Sequence, residues 1–173
     1  MKILIVSQYF WPENFRINDL AFGLKEKGHS VSVLTGLPNY PEGRLFNNYS
    51  FFNPINQIYK GINIYRAPLI TRGKGSGIRL FLNYISFAVT SSIKSIFIVK
   101  NKYDVIFVFE PSPITVGIPA IIIKKILKIP IVFWVQDLWP ESIKAVNKNI
   151  PNLALDVLDP FVRYIYSKCD KIL

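Results

Sequence analysis

The sequence predicts a doubly wound α/β domain with a mostly parallel sheet. Four short runs rich in β-branched or aromatic residues alternate with stretches of helical periodicity, at 3–6, 31–34, 105–109 and 131–135. None of these runs alternates cleanly with polar residues, as expected for strands that helices cover on both faces. The chain has 173 residues, half of them hydrophobic, which suffices for one domain with an apolar core and leaves two complete domains cramped.

The first helix is predicted between the first two strands. In RINDLAFGLKEKG, the apolar Ile17, Leu20, Ala21 and Leu24 share one face, and Gly28 follows where helices use a left-handed cap. The turn before this helix, QYFWPENFRIND, contains no glycine, so a dinucleotide has no close approach to its backbone. This argues against a nicotinamide-dependent dehydrogenase.

Polar residues in the first turn form a candidate binding site. Glu13, Asn14 and Arg16 lie beside the amino terminus of the first helix, where anions are favoured. The alternative is a helix-capping region over buried Phe10 and Trp11.

The segment 36–54 is rich in Asn, Pro, Gly and aromatic residues, and a stretch of this length without periodicity predicts a functional loop lining a cleft. Asn39 and Tyr40 fit the polar and aromatic surfaces on which sugars stack. Glu42 and Arg44 are candidates for contacts to an acceptor sugar or its diphosphate, with solvated loop charges as the alternative.

The region after this loop combines a hairpin, a basic linker and a long helix. QIYKGINIYRAP predicts two strands joined at Lys60-Gly61, and RGKGSG then leads into the helix. The polar residues of that helix form one stripe and the rest of its surface is apolar; the stripe comprises Arg79, Asn83, Ser86, Thr90 and Lys94. The span 78–99 contains several of these polar residues, so we do not predict that it crosses a bilayer.

Two predicted strands are followed directly by polar residues. Glu110 ends one, and QDLWPE, with Gln136, Asp137 and Glu141, follows the other. Ligands of open α/β sheets bind at this carboxyl edge. Glu110 either binds a sugar hydroxyl or bonds locally in a Pro-rich turn, and Gln136 has no titratable group to act as a base.

Asp137 has two interpretations. It either positions or deprotonates an acceptor hydroxyl, which requires hydrogen-bond reach, or it caps a helix that begins near Pro140. The pattern of the closing residues, LDPFVRYIYSKCDKIL, predicts a helix followed by the start of a strand. We therefore expect that the chain continues beyond this point.

The net charge of +10 predicts an anionic partner. Arg72, Lys74 and Arg79 cluster beside the start of the long helix, which also carries Phe81 and Tyr84, and we expect this region to attach reversibly to an anionic membrane. The alternative packs the apolar face on the sheet and leaves the basic stripe solvated.

Three motifs in order carry a family resemblance: GHSVSVLTG, GLPNYPEG and QDLWPES. With MKILIVSQYFWPENFRIND before them and VFEPSPITVGIPA between them, they resemble the amino-terminal domain of retaining GT-B glycosyltransferases of the family-four type. The sequence is more narrowly similar to enterobacterial L-fucosamine transferases of O-antigen and capsule assembly. The resemblance covers essentially the whole chain.

The resemblance implies that residues 1–173 are the acceptor-side, Rossmann-like half of a two-domain enzyme, inactive without a carboxyl-terminal donor-binding domain. That enzyme would transfer a sugar, for this narrower group N-acetyl-L-fucosamine, with retention from a UDP-linked donor to a polyprenyl-diphosphate-linked saccharide. It would work in lipopolysaccharide O-antigen synthesis at the cytoplasmic face of the bacterial plasma membrane, without a metal or cofactor. Asp137 would act on the acceptor hydroxyl. Asn14-Phe15 stands where many relatives have a Gly-Gly pair, and Gln136 where many have His.

A basic α/β module that binds nucleic acid or an anionic membrane without catalysis is the alternative function. No nucleic-acid motif is present, and the 13 Phe, 9 Tyr and 3 Trp lie mostly within predicted strands and helices, where core packing explains them. We therefore expect no nucleic-acid partner.

Overall fold

The computed structural model describes residues 1–52, 56–142 and 152–173. Within these ranges, seven strands form one sheet in the order β3-β4-β2-β1-β5-β6-β7. They are β1 (Lys2–Val6), β2 (Ser30–Gly36), β3 (Gln57–Tyr59), β4 (Ile62–Ala67), β5 (Val105–Glu110), β6 (Ile131–Val135) and β7 (Lys171–Ile172). The helices are α1 (Arg16–Glu26), α2 (Gly77–Ile98), α3 (Gly117–Leu127) and α4 (Asn152–Ser167).

The predicted α/β class is confirmed, since every strand pair is parallel except β3 with β4. The antiparallel pair is the predicted hairpin, and its turn places Lys60 and Gly61 at φ of 47° and 72°. Gly28 ends the first helical segment at φ 84°, as its position predicts.

The sheet is covered on both faces. One face packs with α1 around Phe10, Ile17 and Ala21. The other face packs with α2, α3 and α4, where Phe87, Ala120 and Ile165 join one apolar cluster with the strands. Because the helices hide the two faces, the sheet edge where the parallel strands end is the place where loops meet solvent.

Helix α2 packs with its polar stripe toward the protein. The Asn83 side chain is buried, donates to the Ile70 carbonyl at 2.6 Å and accepts from Gln8 Nε2 at 2.7 Å. Ser86 Oγ accepts from the Ile70 amide at 2.9 Å, and Thr90 donates to the Pro68 carbonyl. Phe87 and Ile98 of α2 are buried in the cluster with the strands, whereas eight other large apolar residues of the helix are exposed. The interpretation in which the apolar face packs on the sheet therefore holds for only a small part of that face. The irregular backbone at 68–71 needs hydrogen-bond partners, and α2 supplies them.

The glycine at the start of α3 marks a close approach between elements, and we predict that substitution there is costly. A Cβ on Gly117 would lie 2.5 Å from Ile165 Cγ2 and 3.2 Å from Phe133 Cε2. Gly117→Ala should therefore lower the free energy of unfolding by about 1–3 kcal/mol, measured by denaturant titration. The control is Gly23→Ala within α1, where a Cβ meets nothing within 4 Å and should raise stability by about 0.5–1 kcal/mol. Equal effects at the two positions would contradict this packing.

Candidate functional site

The loops that follow β1, β2, β4, β5 and β6 gather at the carboxyl edge of the sheet. Parallel strands bring these ends to the same edge, so residues far apart in sequence lie side by side. The loops comprise residues 7–15, 37–52, 68–76, 111–113 and 136–140, and almost all sequence-predicted site residues lie on them or border them.

Glu13 joins the first two of these loops. Its carboxylate is buried and accepts the amides of Asn39 at 2.9 Å and Tyr40 at 2.8 Å, with a longer bond of 3.4 Å from the Phe10 amide. Burial raises the pKa of Glu13 to about 7, although the three amide bonds favour the charged form. The side chain predicted to contact substrate is thus used inside the protein, where it positions the second loop.

Arg66 also connects the first and second loops, and this role was not predicted from the sequence. This fully buried guanidinium donates to the Gly36 carbonyl at 3.0 Å, to Gln57 Oε1 at 2.9 Å and to the Trp11 carbonyl. It lies 4.8 Å from the ring centroid of Tyr49. The sequence signal for this role is a single Arg within an apolar strand. Such a strand is expected to be buried, and a buried guanidinium needs several hydrogen-bond acceptors.

Asn39 and Tyr40 differ in exposure. Asn39 is buried, and its Oδ1 accepts from the Arg72 amide at 3.0 Å, so it connects the second loop to the segment before α2. Tyr40 is exposed, and its ring packs beside Tyr9 and Phe15 with the Arg72 guanidinium 4.8 Å from its centroid. Tyr40 therefore presents the aromatic surface that was predicted. Arg72 lies beside it at the carboxyl edge of the sheet.

A cavity of about 740 Å³ lies between the first loop, the second loop and β3. Glu42 and Arg44 line it, as the prediction of a cleft in this loop requires. Its other lining residues are mostly aromatic or amide side chains that were not predicted: Trp11, Pro12, Leu45, Phe46, Asn47, Asn48, Tyr49 and Gln57. Aromatic faces combined with hydrogen-bonding side chains suit a polar, hydroxyl-rich ligand.

A pair of carboxyl groups lies where β5 and β6 end. Glu110 is fully buried, and burial together with the nearby charge of Asp137 raises the pKa of Glu110 to about 9. Asp137 is half-buried, and its Oδ2 accepts from Trp139 Nε1 at 3.2 Å. Among the described residues, no backbone amide donates to the Asp137 side chain. Most of the helix predicted from Pro140 lies outside the described residues, so the helix-cap alternative stays a prediction. At neutral pH Glu110 is a protonated neighbour of Asp137.

Buried polar atoms without a hydrogen-bond partner among the described residues cluster near these two strand ends. Both Glu110 oxygens belong to this set, and so do four atoms not predicted from the sequence: Gln8 Oε1, Thr115 Oγ1, Ser142 Oγ and the Tyr166 hydroxyl. Buried polar groups normally have partners, so these atoms keep unused hydrogen-bonding capacity beneath this part of the edge.

The remaining predicted residues lie on or beside the loops at the carboxyl edge. Asn14, Arg16, Gln136 and Glu141 are exposed, and Glu141 lines a second cavity of about 380 Å³ with Arg163. Lys74, Arg79 and Phe81 are exposed at or before the first turns of α2, whereas Tyr84 packs against Trp139 with ring centroids 6.3 Å apart. The described residues contain no cluster of three His, Cys, Asp or Glu side chains that could hold a metal ion.

Comparison with known proteins supports the fold. No family model matches the sequence, and no curated protein does. The crystal structure of CalG4, the calicheamicin glycosyltransferase, matches 94% of this chain with a TM-score of 0.55 at 11% identity. The match covers 42% of the CalG4 chain, so this chain corresponds to less than half of that enzyme. The fold is therefore Rossmann-like and matches that of one part of this glycosyltransferase.

We predict that Glu13→Ala loosens the second loop. Removing the acceptor of the Asn39 and Tyr40 amides leaves two donors unsatisfied, which should cost about 1–3 kcal/mol in the free energy of unfolding and speed amide hydrogen exchange across residues 37–49. Exchange and denaturant titration measure the two effects. Glu42→Ala, at an exposed carboxylate in the same loop, is the control. Unchanged exchange in Glu13→Ala would show that the loop holds without this bond.

Glu110 should make stability fall as the pH rises. Its folded-state pKa of about 9 lies above the ordinary value, so between about pH 4.5 and 9 the unfolded chain releases a proton that the folded chain keeps. Glu110→Gln lacks this penalty, and its stability relative to the unsubstituted protein should increase by at least about 2 kcal/mol from pH 5 to pH 9. Glu13 titrates in both proteins, so its contribution cancels in the difference. Parallel denaturation midpoints across this range would contradict the assignment.

Proposed function

We propose that this chain is the acceptor-side half of a glycosyltransferase, with its reaction crevice at the carboxyl edge of the sheet. The observation that carries the proposal is the half-buried Asp137 carboxylate, which is bonded to the Trp139 indole and lies beside the buried Glu110 on this edge. The likeness to one half of CalG4 supports the fold that such an enzyme requires. The motif QDLWPES supports the location of the chemistry.

Asp137 is proposed to hold the acceptor hydroxyl. Its bond to the indole N–H of Trp139 fixes the carboxylate, and Trp139 itself packs against Tyr84 of α2. The second oxygen is then suited to accept a hydrogen bond from a sugar hydroxyl. Glu110 is fully buried beside it, so the free oxygen of Asp137 is the group proposed to meet the sugar.

The cavity beside Glu42 and Arg44 is proposed to bind the rest of the acceptor saccharide. Trp11 lines this cavity and stacks on Tyr59 with centroids 3.7 Å apart, which fixes one aromatic wall. Arg44 is exposed and suits a phosphate oxygen or a sugar carboxylate. The exposed Tyr40 ring lies on the rim between this cavity's loop and the first loop.

The finer assignment rests on the family resemblance. We propose a retaining transfer of N-acetyl-L-fucosamine from its UDP-linked donor to a polyprenyl-diphosphate-linked saccharide, in O-antigen or capsule assembly at the cytoplasmic face of the plasma membrane. The donor is proposed to bind mainly on a second domain that faces Asn14, Arg16 and Gln136. A panel of UDP-sugars offered to the intact protein tests the donor choice, and transfer from another sugar alone would reject it.

We predict that Asp137→Asn lowers kcat of the intact enzyme at least tenfold, because the loss of a positioned carboxylate removes a contribution of about 10²–10⁴ in rate. The fold should persist, since an amide oxygen still accepts from Trp139. The control is Asp104→Asn at the opposite edge of the sheet, where the side chain accepts from the Lys2 amide at 2.7 Å. A lowered melting temperature with unchanged kcat would assign Asp137 to structure alone.

A further inference from the structure

The outward face of α2 is apolar along the whole helix. Eight large hydrophobic residues on it are exposed by 38–79%, and their spacing of three or four residues places them on one side: Ile78, Phe81, Leu82, Ile85, Val89, Ile93, Ile96 and Phe97. We call these residues the α2 outer face. A contiguous apolar surface over a 22-residue helix, about 33 Å long, is far more than scattered exposed side chains.

The chain segment that contains α2 carries charge of a single sign. The segment 43–103, which contains α2, holds nine Lys and Arg residues and no Asp or Glu. Lys74 and Arg79 are exposed at the amino end of the helix, and Lys100 and Lys102 are exposed just beyond its carboxyl end. The cations therefore border the α2 outer face at both ends, which suits a partner that is apolar inside and anionic at its surface.

The opposite side of α2 fixes the helix to the domain. The region 77–101 is long and apolar enough to cross a membrane, with mean hydropathy 1.4 over its most apolar stretch, but a third of that stretch is buried in the protein. Asn83, Ser86 and Thr90 make their hydrogen bonds to Gln8 and to the backbone at 68–70. Crossing a bilayer would remove these partners, whereas lying in its surface keeps them.

We propose that the α2 outer face docks the domain on an anionic lipid leaflet, with the helix lying in the plane of the interface. A second copy of the chain is a poorer occupant, because pairing the two faces would bring their cations together. The proposal concerns lipid binding and does not depend on the sugar-transfer chemistry.

Docking by this face also sets the position of the crevice. The early turns of α2 contact the carboxyl edge directly, through Asn83 with Gln8 and through Tyr84 with Trp139. A leaflet against the α2 outer face therefore lies beside the loops that carry Asp137. If the acceptor is lipid-linked, its head group reaches this edge while its chain stays in the bilayer.

The test is co-sedimentation of the intact protein with vesicles of phosphatidylcholine alone or with 30–40% phosphatidylglycerol. We expect binding to the anionic vesicles, and we expect Phe81→Ser/Val89→Ser/Phe97→Ser to lower the partition coefficient at least about tenfold. These side chains are exposed, so the fold should persist, which circular dichroism checks. The control is Val157→Ser/Tyr164→Ser, two exposed apolar positions on α4, which should bind as the unsubstituted protein does.

A charge variant separates the electrostatic contribution to vesicle binding from the apolar contribution. Lys74→Gln/Lys100→Gln/Lys102→Gln should weaken binding to anionic vesicles and reduce its dependence on salt. Equal partition of the unsubstituted protein and the triple Ser variant would overturn the proposal. So would a concentration-dependent dimer that the triple Ser substitution abolishes while vesicle binding persists, since the face would then bind a second copy.

Discussion

Hydrogen bonding of irregular backbone at a buried sheet edge is the constraint on which this structure depends. The loops at the carboxyl edge lack the regular partners of helix and strand, yet much of their backbone is removed from water. Glu13, Arg66, Asn39 and Asn83 meet this need, each buried and each bonded to backbone atoms of a loop distant in sequence. These four side chains hold together the loops at the carboxyl edge of the sheet.

The arrangement of α2 follows from the same constraint. Asn83, Ser86 and Thr90 must face residues 68–71 to satisfy that backbone, so most of the bulky residues of the helix are left on the outside. In an ordinary surface helix the hydrophobic effect would place them inside. The exposed apolar face is therefore the cost of supporting the loops, and a lipid surface that covers it would offset this cost.

Most of the fold could be predicted from the sequence because its signals are local. β-branched runs, the Gly28 cap and the Lys60-Gly61 turn each reflect backbone preferences of a few residues. The inward packing of α2 could not be predicted in this way, since the partners of its polar stripe lie on other segments. Glu13 and Asn39 were recognised as polar residues of a cleft, but their burial depends on a contact between two loops. Arg66, Gln8 and Tyr166 were missed because single polar residues within apolar elements give no pattern.

The central claim is that the carboxyl edge binds the sugar substrates, and the tryptophan indoles test it directly. Trp139 is bonded to Asp137, Trp11 lines the large cavity, and Trp134 packs on the sheet with Phe107 and Phe109. In ¹⁵N-tryptophan-labelled intact protein, titration with the lipid-free saccharide diphosphate should shift the indole N–H signals of Trp139 and Trp11 and leave that of Trp134 in place. Saturable binding that leaves both Trp139 and Trp11 unmoved would contradict the account.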